Sequence, residues 1–164
     1  MSQLEIGIVP CSLAPPLVRD METRELETIV ELWVDAWRVT APHIDFEARR
    51  EWLARRLIDI RAAGGRILAA ANPASGRLLG FVTIDPQSGW LDQLAVSPDW
   101  QGAGVATRLL EAAKALSPAC VRLDVNQDNV RALRFYQREG FRLAAAGLNP
   151  RSGAETWALE WRAP

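Results

Sequence analysis

Apolar residues recur at helical spacing from Leu26 through Ile29, Val30, Leu32, Trp33 and Trp37. That spacing predicts a helix to about Arg38. Thr23 is its expected N-cap, with Glu25 and Glu27 in the first turn. Pro42 interrupts. A second helix is expected over about Phe46–Ala62, with the stripe Trp52, Leu53, Leu57, Ile58 and Ile60, stopped by Gly64-Gly65. The period then shortens. Arg66–Ala71 and Arg77–Ile84 read as strands joined by the turn Asn72–Gly76. After Pro86–Gly89, Trp90–Val96 reads as a third strand, with Trp90, Asp92, Leu94 and Val96 on one face. Turns this short cannot make parallel crossovers, so the three strands form an antiparallel meander.

Val105, Leu109, Ala113 and Leu116 mark a helix over about Gly102–Leu116. Val121, Leu123 and Val125 alternate with Arg122 and Asp124, which predicts a strand over 120–125. The helix between makes it a crossover, so this strand is expected parallel to 90–96. A helix over about Asp128–Glu139 ends at Gly140. Phe141–Ala146 and Glu155–Trp161 form a last hairpin. At the other end, Leu17–Arg19 is a candidate first strand behind a Pro10-, Pro15- and Pro16-bearing leader over 1–16. The expected organisation is a leader followed by one α+β domain over 17–164, in the order β-α-α-β-β-β-α-β-α-β-β.

Composition narrows the function classes. The chain has 164 residues, 49% of them hydrophobic and 24% charged, which suits one folded domain with its own core. A net charge of −1 gives no basic field for nucleic acid or an anionic membrane. Apolar runs such as Ile67–Ala71 fall far short of the ~20 residues of a membrane span. Met1–Glu5 does not open a secretory signal. Cys11 and Cys120 are too few and too distant for a disulfide framework or a metal site, so no metal is expected and the cytoplasm is the expected compartment.

The informative stretch is Gln101-Gly102-Ala103-Gly104-Val105-Ala106, between a strand and a helix. Small residues there permit a tight bend and close ligand approach. The helix start offers unpaired N–H groups at the positive end of its dipole, suited to phosphate oxygens. A P-loop requires a Gly-Lys pair, and the chain has none. A dinucleotide fingerprint would use Gly102, Gly104 and Asp124, but Thr107 stands at the third small position. Five residues, including Pro98 and Trp100, also separate strand from turn. A glycine-softened helix start without a ligand is the plain alternative.

A third reading fits better. Val96-x-Pro98-x-x-Gln101-Gly102-x-Gly104-x-Ala106 resembles the acetyl-CoA signature of the GNAT superfamily of N-acetyltransferases, Q/R-x-x-G-x-G/A. Leu123–Phe141 looks like the later motif of the same superfamily, V-x-x-x-N-x-x-A-x-x-F-Y-x-x-x-G-F. The resemblance runs over residues 17–161, and bacterial single-domain members are the most similar. It implies the GNAT fold, a mixed, mostly antiparallel sheet of about seven strands flanked by about four helices. It also implies acetyl transfer from acetyl-CoA to a primary amine of a small molecule, peptide or protein, by direct attack in a ternary complex. The alternative is a non-catalytic module that binds acetyl-CoA and regulates a partner. Relatives often dimerise through a sheet edge or the C-terminal strands, so a homodimer is a possible assembly.

The resemblance also implies roles. The diphosphate would lie over the N–H groups of Gly102, Ala103, Gly104, Val105 and Ala106, with Thr107 near a phosphate oxygen. Gln101 stands where many relatives carry Arg, and it gives up one positive charge. Backbone groups around Leu94, Ala95 and Val96 would pair with the pantetheine arm as an added strand does. The N–H near Leu94 would face the thioester carbonyl. Asn126 and Asn129 would bond the arm, or cap the following helix instead. Tyr136 would protonate the leaving thiolate, or simply pack against the sheet. Several relatives carry Glu where this chain has Trp90, so Asp92 is the candidate base, with a water chain as the alternative. Trp33, Trp37 and the 39–45 loop would line the amine pocket, unless the tryptophans belong to the core. The arginines Arg49, Arg50, Arg55 and Arg56 form a solvated face or select an acidic substrate.

Overall fold

The computed structural model describes residues 14–164. The first thirteen residues of the expected leader, Cys11 among them, lie outside the described residues. Seven strands and four α-helices follow in the expected order: β1 (Leu17–Asp20), α1 (Leu26–Thr40), α2 (Arg50–Ala62), β2 (Arg66–Ala71), β3 (Leu78–Ile84), β4 (Leu94–Val96), α3 (Val105–Leu116), β5 (Cys120–Asn126), α4 (Val130–Arg138), β6 (Arg142–Leu148) and β7 (Glu155–Arg162). Short 3-10 turns lead into α1 and α2. The N-terminal cap of the first is Glu22, not Thr23. Glu22 and Glu25 form a reciprocal capping box in which the Glu22 N–H donates to Glu25 Oε2 at 2.8 Å.

The strands form two antiparallel sheets, β1-β2-β3-β4 and β5-β7-β6. β2 and β3 are covered on both faces, which explains why they read as continuous apolar runs. Leu68, Ala70, Leu79 and Val82 face a core shared with α3, β5 and Tyr136 of α4. Ile67, Ala69, Ala71 and Phe81 face a second core built from α1 and α2. Gly80 lets α3 come close to the sheet, since a Cβ there would sit 2.7 Å from the Ala95 oxygen and 3.1 Å from Leu109 Cδ1.

The expected strand over Trp90–Val96 is corrected in two respects. Only Leu94–Val96 is strand, and the expected parallel pairing with β5 shrinks to one bridge between Trp90 and Arg122. The cause lies in β3. Thr83 Oγ1 accepts the Gln93 N–H at 2.9 Å while the Thr83 N–H donates to the Gln93 oxygen at 2.9 Å. A side chain thus replaces a carbonyl in the ladder and breaks the alternation. Asp92 and Gln93, neighbours in sequence, both reach toward the α1–α2 layer, to Arg56 and Trp33. Leu94 and Val96 instead pack with the α3–α4 core.

Candidate functional site

Beyond the single bridge the two sheets part. Leu91 N–H donates to the Arg122 oxygen at 2.8 Å, and Arg122 N–H to the Gly89 oxygen at 2.7 Å. No such bonds join β4 to β5 among the described residues. On its other side β4 is tied to β3. Thr83 N–H meets the Gln93 oxygen and Ser97 N–H meets the Leu79 oxygen, with Phe81 and Ala95 as register partners between them. Antiparallel ladders alternate, so Gln93, Ala95 and Ser97 point their backbone groups at β3. Leu94 and Val96 therefore turn theirs into the gap. Among the described residues the Val96 oxygen meets only Gln101 Nε2, at 3.4 Å.

At the wide end of the gap lies the glycine turn. Gly102 and Gly104 hold φ of 78° and 81°, a left-handed conformation that disfavours side chains. A Cβ on either would meet no described residue within 4 Å, so the described residues leave the space above the turn open. Gly104 caps α3 without a side-chain bond. The N–H groups of Gly102, Gly104, Val105, Ala106 and Thr107 find no acceptor among the described residues, while Ala103 donates to the Trp100 oxygen at 3.3 Å. Thr107 Oγ1 does not point freely outward, because it donates to Glu139 Oε1 at 2.9 Å.

Tyr136 reaches the same gap from α4. It is 7% exposed and belongs to the core cluster that holds Val96 and Val125 and against which Leu94 packs. Its ring sits edge-on between Phe135 and Phe141, at 5.2 and 5.4 Å. Burial drives its phenol well above the ordinary value, so it stays protonated across neutral pH. The hydroxyl has no partner among the described residues, yet no fully buried side-chain polar atom there is left unpaired. The phenol oxygen therefore keeps some contact with open space.

The asparagines divide the two roles open to them. Asn129 is the N-cap of α4, its Oδ1 accepting the Ala132 N–H at 3.1 Å, which leaves Nδ2 as the group it can offer a ligand. Asn126 ends β5 with its side chain unengaged among the described residues.

Asp92 and the tryptophans are on the other side of the sheet. Asp92 is gripped by Arg56, with Nη2–Oδ1 at 2.6 Å and Nε–Oδ2 at 3.1 Å, and also accepts from Gln93 Nε2 at 3.2 Å. Burial pushes its carboxyl up, but the hydrogen bonds from Arg56, Gln93 and Trp90 together with the Arg56 charge outweigh that and hold it below the usual carboxylate range. A carboxylate so occupied is a weak proton acceptor. Trp33 is 3% exposed and sits within the α1–α2 core, its indole N–H on Gln93 Oε1 at 2.9 Å. Trp37 stacks on Phe46 at 5.3 Å, and Trp52 lies 6.2 Å from Trp33. Arg151, at the tip of the β6–β7 hairpin, lies 4.0 Å over the Trp52 ring. The sequence assigns no site role to Gln93, Trp52, Arg131 or Arg151. The contacts of Gln93 with Trp33, Trp52 with Arg151 and Arg131 with Gln101 each span 30 or more residues, so periodicity carries no signal of them.

A parted pair of sheets, a bare glycine turn and a buried tyrosine form one constellation. Residues 26–141 match the profile of the acetyltransferase (GNAT) family, well over half the chain. The chain belongs to the GNAT family of acetyltransferases. Peptidyl-lysine N-acetyltransferase YiaC of Escherichia coli is 28% identical over 149 residues, covering 88% of this chain and 96% of YiaC. Peptidyl-lysine N-acetyltransferase YjaB of the same organism is 27% identical over 126 residues, covering 77% of this chain and 82% of YjaB. PaiA N-acetyltransferase from Thermoplasma acidophilum, solved in complex with coenzyme A, superposes with a TM-score of 0.74 at 21% identity, covering 90% and 98% of the two chains. The GNAT fold expected from the sequence is thus shown. Among the described residues no helix is long and apolar enough to cross a membrane.

Proposed function

We propose that this GNAT acetyltransferase moves the acetyl group of acetyl-CoA to a primary amine, with a peptidyl lysine as the favoured acceptor. The observation that carries the reading is that two sets of donors without a partner among the described residues border one gap, Leu94 and Val96 on the free edge of β4 and Gly102 and Gly104–Thr107 at the start of α3. Pantetheine is an amide-bearing arm that can pair with a strand edge, and a diphosphate suits the bare amides of a helix start. The acceptor class rests on YiaC and YjaB, both named peptidyl-lysine N-acetyltransferases.

The chemistry then follows. The neutral amine attacks the thioester carbon, and charge builds on the oxygen opposite the Leu94 N–H. The carbon–sulfur bond breaks, and Tyr136 gives its proton to the departing thiolate. At pH 7 only about one lysine amine in ~2,500 is neutral. Asp92 is held by Arg56, so water carries the amine proton away and Asp92 serves as a positioning residue. The reading places the chain in the cytoplasm of a bacterium. A second copy along the exposed edge strand β6, where Leu143 and Leu148 are 58% and 67% exposed, fits the same molecule.

The occupied Asp92 favours one other reading, a module that holds acetyl-CoA without turnover. Thiol release measured over lysine peptides and small amines separates the two. Release above background hydrolysis with a lysine peptide supports the transferase. Tight acetyl-CoA binding with no amine beating background supports the module.

A further inference from the structure

A diphosphate needs positive charge as well as amides, and position 101 supplies none. The charged residue in the first turn of α3, Arg108, is engaged through Nε with the Pro16 oxygen at 3.1 Å, and Thr107 holds the carboxylate of Glu139, from the end of α4, beside that turn. The cation comes from another element. Arg131, on the first turn of α4, donates from Nη1 to Gln101 Oε1 at 2.7 Å. Gln101 Nε2 donates in turn to the Val96 oxygen. One glutamine thus ties an α4 guanidinium to the loop after β4, across the gap between the two sheets.

Arg131 is exposed and makes no ion pair among the described residues. Arg134 and Arg138 follow it at i+3 and i+7, so they share its face of α4, and they too make no ion pair there. Arg19, Arg50, Arg56 and Arg66 each hold a carboxylate at 2.6 to 2.9 Å, and other arginines such as Arg108 and Arg122 bond backbone oxygens; Arg131 differs in being held by Gln101 at the glycine turn. An unpaired guanidinium fixed beside a row of unpaired amides is an anion site made from two elements.

We infer that Arg131 is the cation that neutralises the diphosphate of acetyl-CoA, presented to it by Gln101, so that the pair does the work of a basic residue in the turn. The inference rests on the acetyl-CoA reading above and adds the residue that sets cofactor affinity. Arg131 holds phosphate oxygens and takes no part in bond making.

Steady-state kinetics of the full chain test it with three donors: acetyl-CoA, 3′-dephospho-acetyl-CoA and S-acetylpantetheine. Arg131→Gln is expected to raise KM for acetyl-CoA about tenfold, as loss of a charge-assisted bond does, with kcat unchanged. The same increase is expected with the dephospho donor and none with S-acetylpantetheine. Gln101→Arg placed in the Arg131→Gln background is expected to restore KM. An unchanged KM with acetyl-CoA overturns the assignment. So does an increase that vanishes with the dephospho donor, which assigns Arg131 to the 3′-phosphate. An increase that persists with S-acetylpantetheine overturns it as well, and marks a structural role. Failure of the wild-type chain to bind acetyl-CoA in calorimetry would instead remove the broader reading.

Discussion

The approach to β4 and the start of β5 meet at one end and part at the other, and each end depends on glycines in the left-handed region. At the joint, Gly89 holds φ 73° and a Cβ would lie 2.2 Å from the Cys120 oxygen. Packing alone forbids a side chain there, because the first residue of β5 occupies its place. At the mouth, Gly102 and Gly104 hold nearly the same φ with nothing within 4 Å. Backbone conformation demands glycine at the turn, and no described residue fills the space beyond. One residue type thus closes the molecule at one point and leaves donors uncovered at another. Stability and ligand binding should therefore separate when the two ends are changed.

The largest effect expected at the mouth is chemical. Tyr136→Phe should lower kcat by ~10²–10⁴ with little change in KM for acetyl-CoA, and thermal melting should show the fold kept. Unchanged turnover would strip Tyr136 of its role. At the joint the effect should be on stability. Gly89→Ala combines left-handed strain of ~1–2 kcal/mol with a backbone collision, so denaturant titration should show a loss of ~3 kcal/mol or more. Gly102→Ala and Gly104→Ala should cost only the strain in the same titration, while raising KM for acetyl-CoA about tenfold. Equal stability losses at Gly89 and Gly102 would break the contrast between the two ends.

The smallest effect concerns the bond between Asp92 and Arg56. Folding lowers the Asp92 carboxyl, so its contribution to stability is full above the ordinary value of ~3.9 and drains away as pH falls below it. The stability gap between wild type and Asp92→Asn should therefore narrow below about pH 4. Above pH 5 the variant should leave the position of the acidic limb of kcat/KM unchanged. A shifted limb would return Asp92 to proton transfer.

Hydrophobic periodicity exposed most of the fold, because helix stripes and two-sided strands are local records of burial. Leu26–Trp37 and the alternation of Val121, Leu123 and Val125 are of that kind. The break before β4 was hidden, since it depends on the Thr83 hydroxyl binding a backbone group ten residues on. Reading Trp90–Val96 as a continuous strand put Asp92 on the face of Leu94, whereas the structure sends it to Arg56. The glycine turn was legible because its residue types are constrained by conformation. Arg131 was not, because its partner is 30 residues away and both side chains are ordinary surface polar groups. Trp33 shows the limit of residue type as a guide, because the same indole suits a pocket wall and a core.

The central claim is that the gap between the sheets holds the cofactor. A crystal structure of the chain with acetyl-CoA tests it most directly. The account predicts the pantetheine arm between β4 and β5, the thioester oxygen on the Leu94 N–H, and the diphosphate over the amides of Gly102–Thr107. A cofactor seated elsewhere, or the gap still empty at saturating acetyl-CoA, would contradict it.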